Sequence, residues 1–199
     1  MPTNEHDATD ESQQEEGMSH RSTRMYLRFA AMILTGMVVM YVVMFFGTYA
    51  WDHVRWSESR LFMTLTMGGA MGLVMLAWMR RMYKSTKANL AVVAVSALLL
   101  VGGVALDRSQ VTVTDTDFMS GMIPHHSLAI TRSERAHLSD VRVCELAVEI
   151  SEAQRREIYE MEWLLADIER NGLARSAREA AERAVPERDF AAERECPGG

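Results

Sequence analysis

The chain has 199 residues, 48% of them hydrophobic, and a formal charge of −6, but these averages hide an apolar first half and a charged second half. The acidic balance and the lack of a basic stripe exclude a nucleic-acid-binding surface. Two cysteines, Cys144 and Cys196, lie far apart in no metal-like spacing, so sequence alone defines neither a disulfide scaffold nor a zinc site.

The N-terminal segment carries Glu5, Asp7, Asp10, Glu11, Glu15 and Glu16 with no Lys or Arg before Arg21. Such a stretch cannot bury enough apolar surface to order itself, so residues 1–24 are expected to be a disordered acidic tail. Residues 25–106 read as a membrane domain. Charged residues are missing from 29–50, 61–79 and 88–106, stretches of 22, 19 and 19 residues. Each is long enough for a transmembrane helix, which needs about 20 apolar residues. The first is too long and starts too late for a signal peptide.

Arg21, Arg24 and Arg28 precede the first stretch, and Arg80, Arg81, Lys84 and Lys87 crowd the connection between the second and third. By the positive-inside rule the N-terminus is cytoplasmic and everything after Asp107 lies outside. This implies a multi-pass protein of a bacterial inner membrane with the lipid bilayer as one partner. Trp51 and Trp56 suit an aromatic belt at the outer interface. Asp52 and His53, on the same loop, read as interfacial polar residues.

Of 16 methionines, 11 fall between Met25 and Met82, and Met63, Met67, Met71, Met75 and Met79 recur every four residues. A thioether ladder for Cu(I) is one reading. Flexible filler at an interhelical seam beside Gly68, Gly69 and Gly72 is the plainer one, because no His, Cys or Asp lies within any span.

Residues 107–172 form the second domain. Asp115 or Thr116 can cap a helix reaching about Leu138, with Pro124 inside it as a kink or restart. Ser139-Asp140 offers the next cap, for a helix from about Val141 to Arg170 that ends at Asn171-Gly172. The result is a helical hairpin. Residues 173–199 are expected to be a tail, helical in part before Pro186 and frayed thereafter.

The run Met119-Ser-Gly-Met122-Ile-Pro-His125-His126 packs two thioethers and two imidazoles into eight residues. Imidazole suits several transition metals and thioether sulfur favours Cu(I), so the combination points to a soft-metal site. On the second helix, apolar spacing is interrupted at Gln154 and Glu157. An antiparallel register in which facing residue numbers sum to about 278, good to a turn, brings both level with the Met/His run. A buried carboxylate there needs a partner, which a metal or a protonated His would supply.

The run Phe118–Met122–Ile123–Pro124–His125–His126–Ala129, with Leu146–Ala147, Ile150, Gln154, Glu157–Ile158 and Met161 downstream, resembles the domain of unknown function 305 family. The resemblance covers about residues 115–170, and the three preceding spans and the 133–137 run Ser-Glu-Arg-Ala-His resemble a membrane-bound branch of it. It implies a ferritin-like helical fold. It also implies copper as a ligand, since soluble relatives bind copper through Met and His. Carried over by position, the metal ligands would be His125, His126, Met122, Met119 and Met161, with Glu157 as ligand or support. Where many members place a Met six residues after the second His, this chain has Arg132.

Together these readings give an all-α protein. Three transmembrane helices precede an extracytoplasmic ferritin-like hairpin, which would complete a four-helix bundle as a homo-oligomer because two helices alone hold little core. The expected function is copper sequestration or handling, without catalysis, in exchange with a metal-donor or metal-acceptor protein. The main alternative is a structural or interaction protein whose hairpin mediates oligomerisation. A di-metal redox enzyme built on Glu134 and His137, which have Glu-x-x-His spacing, is the third reading. Their position near the hairpin turn marks them instead as an exposed pair.

Overall fold

The computed structural model describes residues 5–196, with side chains from residue 21 onward. Among the described residues the chain is all-helical: α1 (Glu5–Val43), α2 (Glu58–Met79), α3 (Thr86–Ser109), α4 (Asp115–Arg135), α5 (Val141–Asn171) and the short α6 (Ala177–Glu182), with one 3-10 turn at Trp51–His53. These elements sort into two compact units. One holds the chain up to Val42 with Leu61–Gln110, and the other holds Val43–Arg60 with everything from Val111 onward.

Three helices of the first unit are long and apolar enough to cross a membrane: the part of α1 from Arg21 to Val43, α2 and α3. Only 11%, 33% and 11% of these spans is buried against protein, so most of their apolar surface needs a non-aqueous surrounding. Two expectations are corrected at α1. The backbone of residues 5–24, expected to be disordered, is helical; residues 1–4 and the side chains of 5–20 lie outside the described residues. Glu, Gln, Ala and Met are good helix formers, and extending an existing helix costs far less than starting one. At its other end the helix stops at Val43 rather than continuing to Ala50. The Thr48 hydroxyl donates to the Phe45 carbonyl at 2.8 Å as the chain turns.

Phe29, Ile33, Met37, Leu76 and Tyr83 form the core of this unit, and Met71, Met75 and Met79 pack on it. Met63 and Met67 are 45% and 50% exposed, so the methionine stripe divides between seam and outer surface. Gly69 and Gly103 set how closely α2 and α3 approach. A Cβ at Gly69 would lie 2.5 Å from the Leu100 nitrogen, and one at Gly103 would lie 2.9 Å from the Phe62 carbonyl.

In the second unit α4 and α5 pack as the expected hairpin. The cap of α4 is Thr114, not Asp115 or Thr116 as expected, because Thr114 and Asp117 form a reciprocal capping box that starts the helix. Asp140 caps α5 by accepting from the Arg142 N–H at 3.0 Å. Gly172, at φ 74°, takes the left-handed position after its last turn. Met119, Ile123, Ile130, Ile158 and Met161 are the core. Chain from outside the hairpin also covers it. The 43–60 segment docks through the Tyr49 N–H, which donates to the Ser127 hydroxyl at 2.7 Å, and through Arg60, which donates to the Pro124 carbonyl at 3.3 Å.

The C-terminal segment is a strap, not a frayed tail. Cys144 and Cys196, which define no disulfide by their spacing, are joined by one in the structure. Just before it, Arg194 donates to the carbonyls of Ser133, Glu134 and Ala136. These are the last carbonyls of α4, which lack helical partners and attract a cation. That clamp falls where α4 ends, at Arg135 rather than near Leu138.

Candidate functional site

The helical repeat decides which residues of the Met/His run meet α5. Met119, Ile123, His126 and Ile130 are buried along one side of α4, whereas His125 is exposed. Adjacent helical positions point about 100° apart, so the two imidazoles take different environments although their ring centres are 5.8 Å apart. Pro124 does not interrupt the helix and is itself fully buried.

His126 sits at the centre of a polar contact between the helices. Its Nδ1 lies 2.9 Å from the Met122 carbonyl oxygen, and its Nε2 lies 2.8 Å from Glu157 Oε2. The Gln154 side-chain amide donates to that same carboxylate oxygen at 3.0 Å. Both atoms facing the ring are acceptors, so satisfying them together requires a proton on each ring nitrogen. When Nδ1–H donates to the carbonyl and the ring is neutral, Nε2 presents a lone pair toward Glu157. At 2.8 Å that contact is closed by a proton shared between ring and carboxylate.

The six candidate ligands therefore divide. His126 and Glu157 are in direct contact. Met119 and Met161 belong to the apolar core, with Met122 packed against it, and His125 stands on the surface. Among the described residues no group of three or more His, Cys, Asp or Glu side chains is gathered as for a metal ion. The register implied by His126 and Glu157 sums to 283, a shift of about one turn from 278. Under that register Glu157 faces His126, the last residue of the run, whereas Gln154 falls opposite Ala129, about one turn beyond it.

Three other features escape the sequence reading. His53 is not merely interfacial: its Nδ1 lies 2.8 Å from the hydroxyl of Ser127, a fully buried residue. Glu134 is not an exposed partner of His137. Its side chain is 5% exposed, accepts from the Ser151 hydroxyl and pairs with Arg155 at 3.3 Å. The Glu193 N–H adds a third donor at 3.0 Å. Burial acts to raise the Glu134 carboxyl, but the bonds from Ser151, Glu193 and Arg155 outweigh it and hold the group below the usual glutamate range. His137 is exposed. Third is the disulfide, for which the even cysteine count was the available signal.

A buried His on α4 set against a Gln-x-x-Glu pair on α5 is the contact that the Met-Ile-Pro-His-His run and its downstream residues foreshadow. A family model described as Domain of unknown function (DUF305) matches residues 105–192. The chain belongs to the DUF305 family. The matched region of this DUF305 protein takes in α4, α5, α6 and most of the strap, and so contains every candidate ligand. An uncharacterized protein of Acanthamoeba polyphaga mimivirus is 30% identical over 142 residues, covering 68% of this chain and 91% of the viral one. No solved structure matches.

Proposed function

We propose that this DUF305 protein handles a soft metal ion, copper, as cargo at the His126–Glu157 contact of a membrane-anchored, extracytoplasmic hairpin. The observation that carries the reading is the orientation of His126. Its Nδ1 is engaged by a backbone carbonyl, the usual support for an imidazole that binds a metal at the opposite nitrogen, and that nitrogen is turned toward the Glu157 carboxylate. The donor set fits. Imidazole and carboxylate accept Cu(II), and the neighbouring thioethers of Met119, Met122 and Met161 suit Cu(I). Exposed His125 would serve in capture from solution or from a donor protein. The role is sequestration or handling rather than catalysis.

Three features support a location outside a bacterial inner membrane. Arg80, Arg81, Lys84 and Lys87 crowd the connection between α2 and α3 and favour the cytoplasm. The Cys144–Cys196 disulfide belongs to an oxidising compartment. Segment 43–60 and the chain after Val111 share one compact unit, as expected of segments separated by two crossings.

A competing reading makes the hairpin a structural or oligomerising module, with His126–Glu157 an interhelical ion pair. It is favoured by the lack, among the described residues, of a third His, Cys, Asp or Glu beside that pair. Competition titration of the full chain in detergent with Cu(I) separates the two. Metal handling predicts that His126→Ala abolishes tight binding, that His125→Ala keeps most of it, and that acid weakens it as imidazole protonates. Unchanged affinity in His126→Ala would overturn the metal reading and leave the structural module.

A further inference from the structure

A cavity of about 220 Å³ lies on the second unit, away from His126 and Glu157, neither of which lines it. Buried Ile130 and Ile158 give it an apolar face, and Tyr49, Arg155, Arg188 and Phe190 stand around it. Two of these come from the strap. Phe190 packs on the Tyr159 ring with centroids 5.5 Å apart, so the disulfide-tethered strap supplies one wall.

The charges around this cavity are not all paired. Arg155 is neutralised by Glu134 at 3.3 Å and Glu193 at 3.2 Å. Glu162 is taken by Arg55 at 3.1 Å. Arg188 is different: among the described residues its guanidinium meets the Tyr159 and Phe190 rings, at 5.6 and 5.4 Å, and no carboxylate. Glu187 and Asp189 flank it in sequence but do not line the cavity. The cavity thus combines an apolar face, aromatic walls and one uncommitted planar cation. A guanidinium matches a carboxylate with two parallel N–H bonds.

We propose that this cavity binds a small organic monocarboxylate with a compact apolar or aromatic body, its carboxylate on Arg188 and its body against Ile130 and Ile158. Size and charge both restrict the ligand. The volume is below the roughly 300–1,000 Å³ of pockets for drug-sized molecules, so about one ring fills it. With one spare cation, and with Glu162 on the lining, a second negative charge has no partner there and is repelled.

Isothermal titration of the full chain in nanodiscs tests this, with benzoate as probe, terephthalate as the dianion on the same ring, and inorganic phosphate as an anion without an apolar body. Saturable benzoate binding at one site per chain is expected. Arg188→Gln should weaken it at least tenfold, Arg188→Lys less, and Arg175→Gln, an exposed arginine away from the cavity, not at all. Terephthalate and phosphate should bind more weakly than benzoate. No saturable benzoate binding, or equal binding in Arg188→Gln with an unchanged melting temperature, would overturn the proposal. If Arg188→Gln lowers the melting temperature, the rank order of the three anions on the wild-type chain decides: phosphate equal to or above benzoate overturns it, and benzoate first supports it.

Discussion

The two units of this protein are both helical, but they hold together by opposite means. In the first, α2 and α3 approach through Gly69 and Gly103, the core is Phe, Ile, Leu, Tyr and Met, and the outer faces expose Leu34, Val38, Leu90 and Leu98. In the second, a small apolar core is bordered by His126–Glu157, Glu134–Arg155 and Asp167–Arg183, and a disulfide closes the chain back onto α5. The contrast follows from the surroundings each needs. Apolar helices with little buried surface gain nothing from water exclusion once in lipid, so close backbone approach and shape decide their packing. A two-helix unit in water has little apolar area to bury, and it recruits a loop, a strap and a covalent tie.

Substitutions can break this comparison from either side. The largest effect is expected from removing the disulfide as Cys144→Ser with Cys196→Ser. A 52-residue separation corresponds to about 4 kcal/mol of lost restraint on the unfolded chain. Thermal melts followed by near-ultraviolet circular dichroism for side-chain packing and far-ultraviolet for helix should show the second unit melting early while the ellipticity of the three apolar helices persists. A single transition lowered for both would mean that the units do not fold separately.

Next, Glu134→Gln leaves the partly buried Arg155 with one carboxylate fewer and should cost about 3 kcal/mol. The same carboxylate makes the second unit acid-sensitive. Its folded pKa lies below the unfolded one, so its stabilisation is complete above the ordinary glutamate range and is lost as pH falls through the lower, folded value. A pH series of melts should therefore show a loss in the wild type on acidification that Glu134→Gln lacks. Parallel curves for the two proteins would refute the assignment.

Smallest, and confined to the first unit, Gly69→Ala should cost about 2 kcal/mol, because the added Cβ meets α3 backbone rather than a movable side-chain tip. Detergent-resistance assays should register it, with the near-ultraviolet signal of the second unit unchanged.

Legibility followed the range of the interaction. The second helix of the DUF305 hairpin could be delimited because Asp140 and Gly172 act within one turn of the helix ends they cap. The contact of Glu157 with the Met/His run was readable because both helices keep a fixed period, so one turn position fixes the register. Helix periodicity parts His125 from His126, though it does not say which of them faces α5. Glu134 was misread for lack of a local signal. Its partners Ser151, Arg155 and Glu193 are 17 to 59 residues away, and the last sits on a segment without regular structure.

By itself the sequence determined the three apolar helices, the hairpin with the caps of its second helix, and the family, because length, period and capping chemistry are local properties of the chain. Only the tertiary structure decided that Cys144 and Cys196 meet, that the 43–60 segment and the strap clothe the hairpin, and that Arg188 stands without a carboxylate beside an apolar cavity. Those outcomes depend on which distant surfaces remain to be covered once the helices have packed, and no spacing along the chain records that.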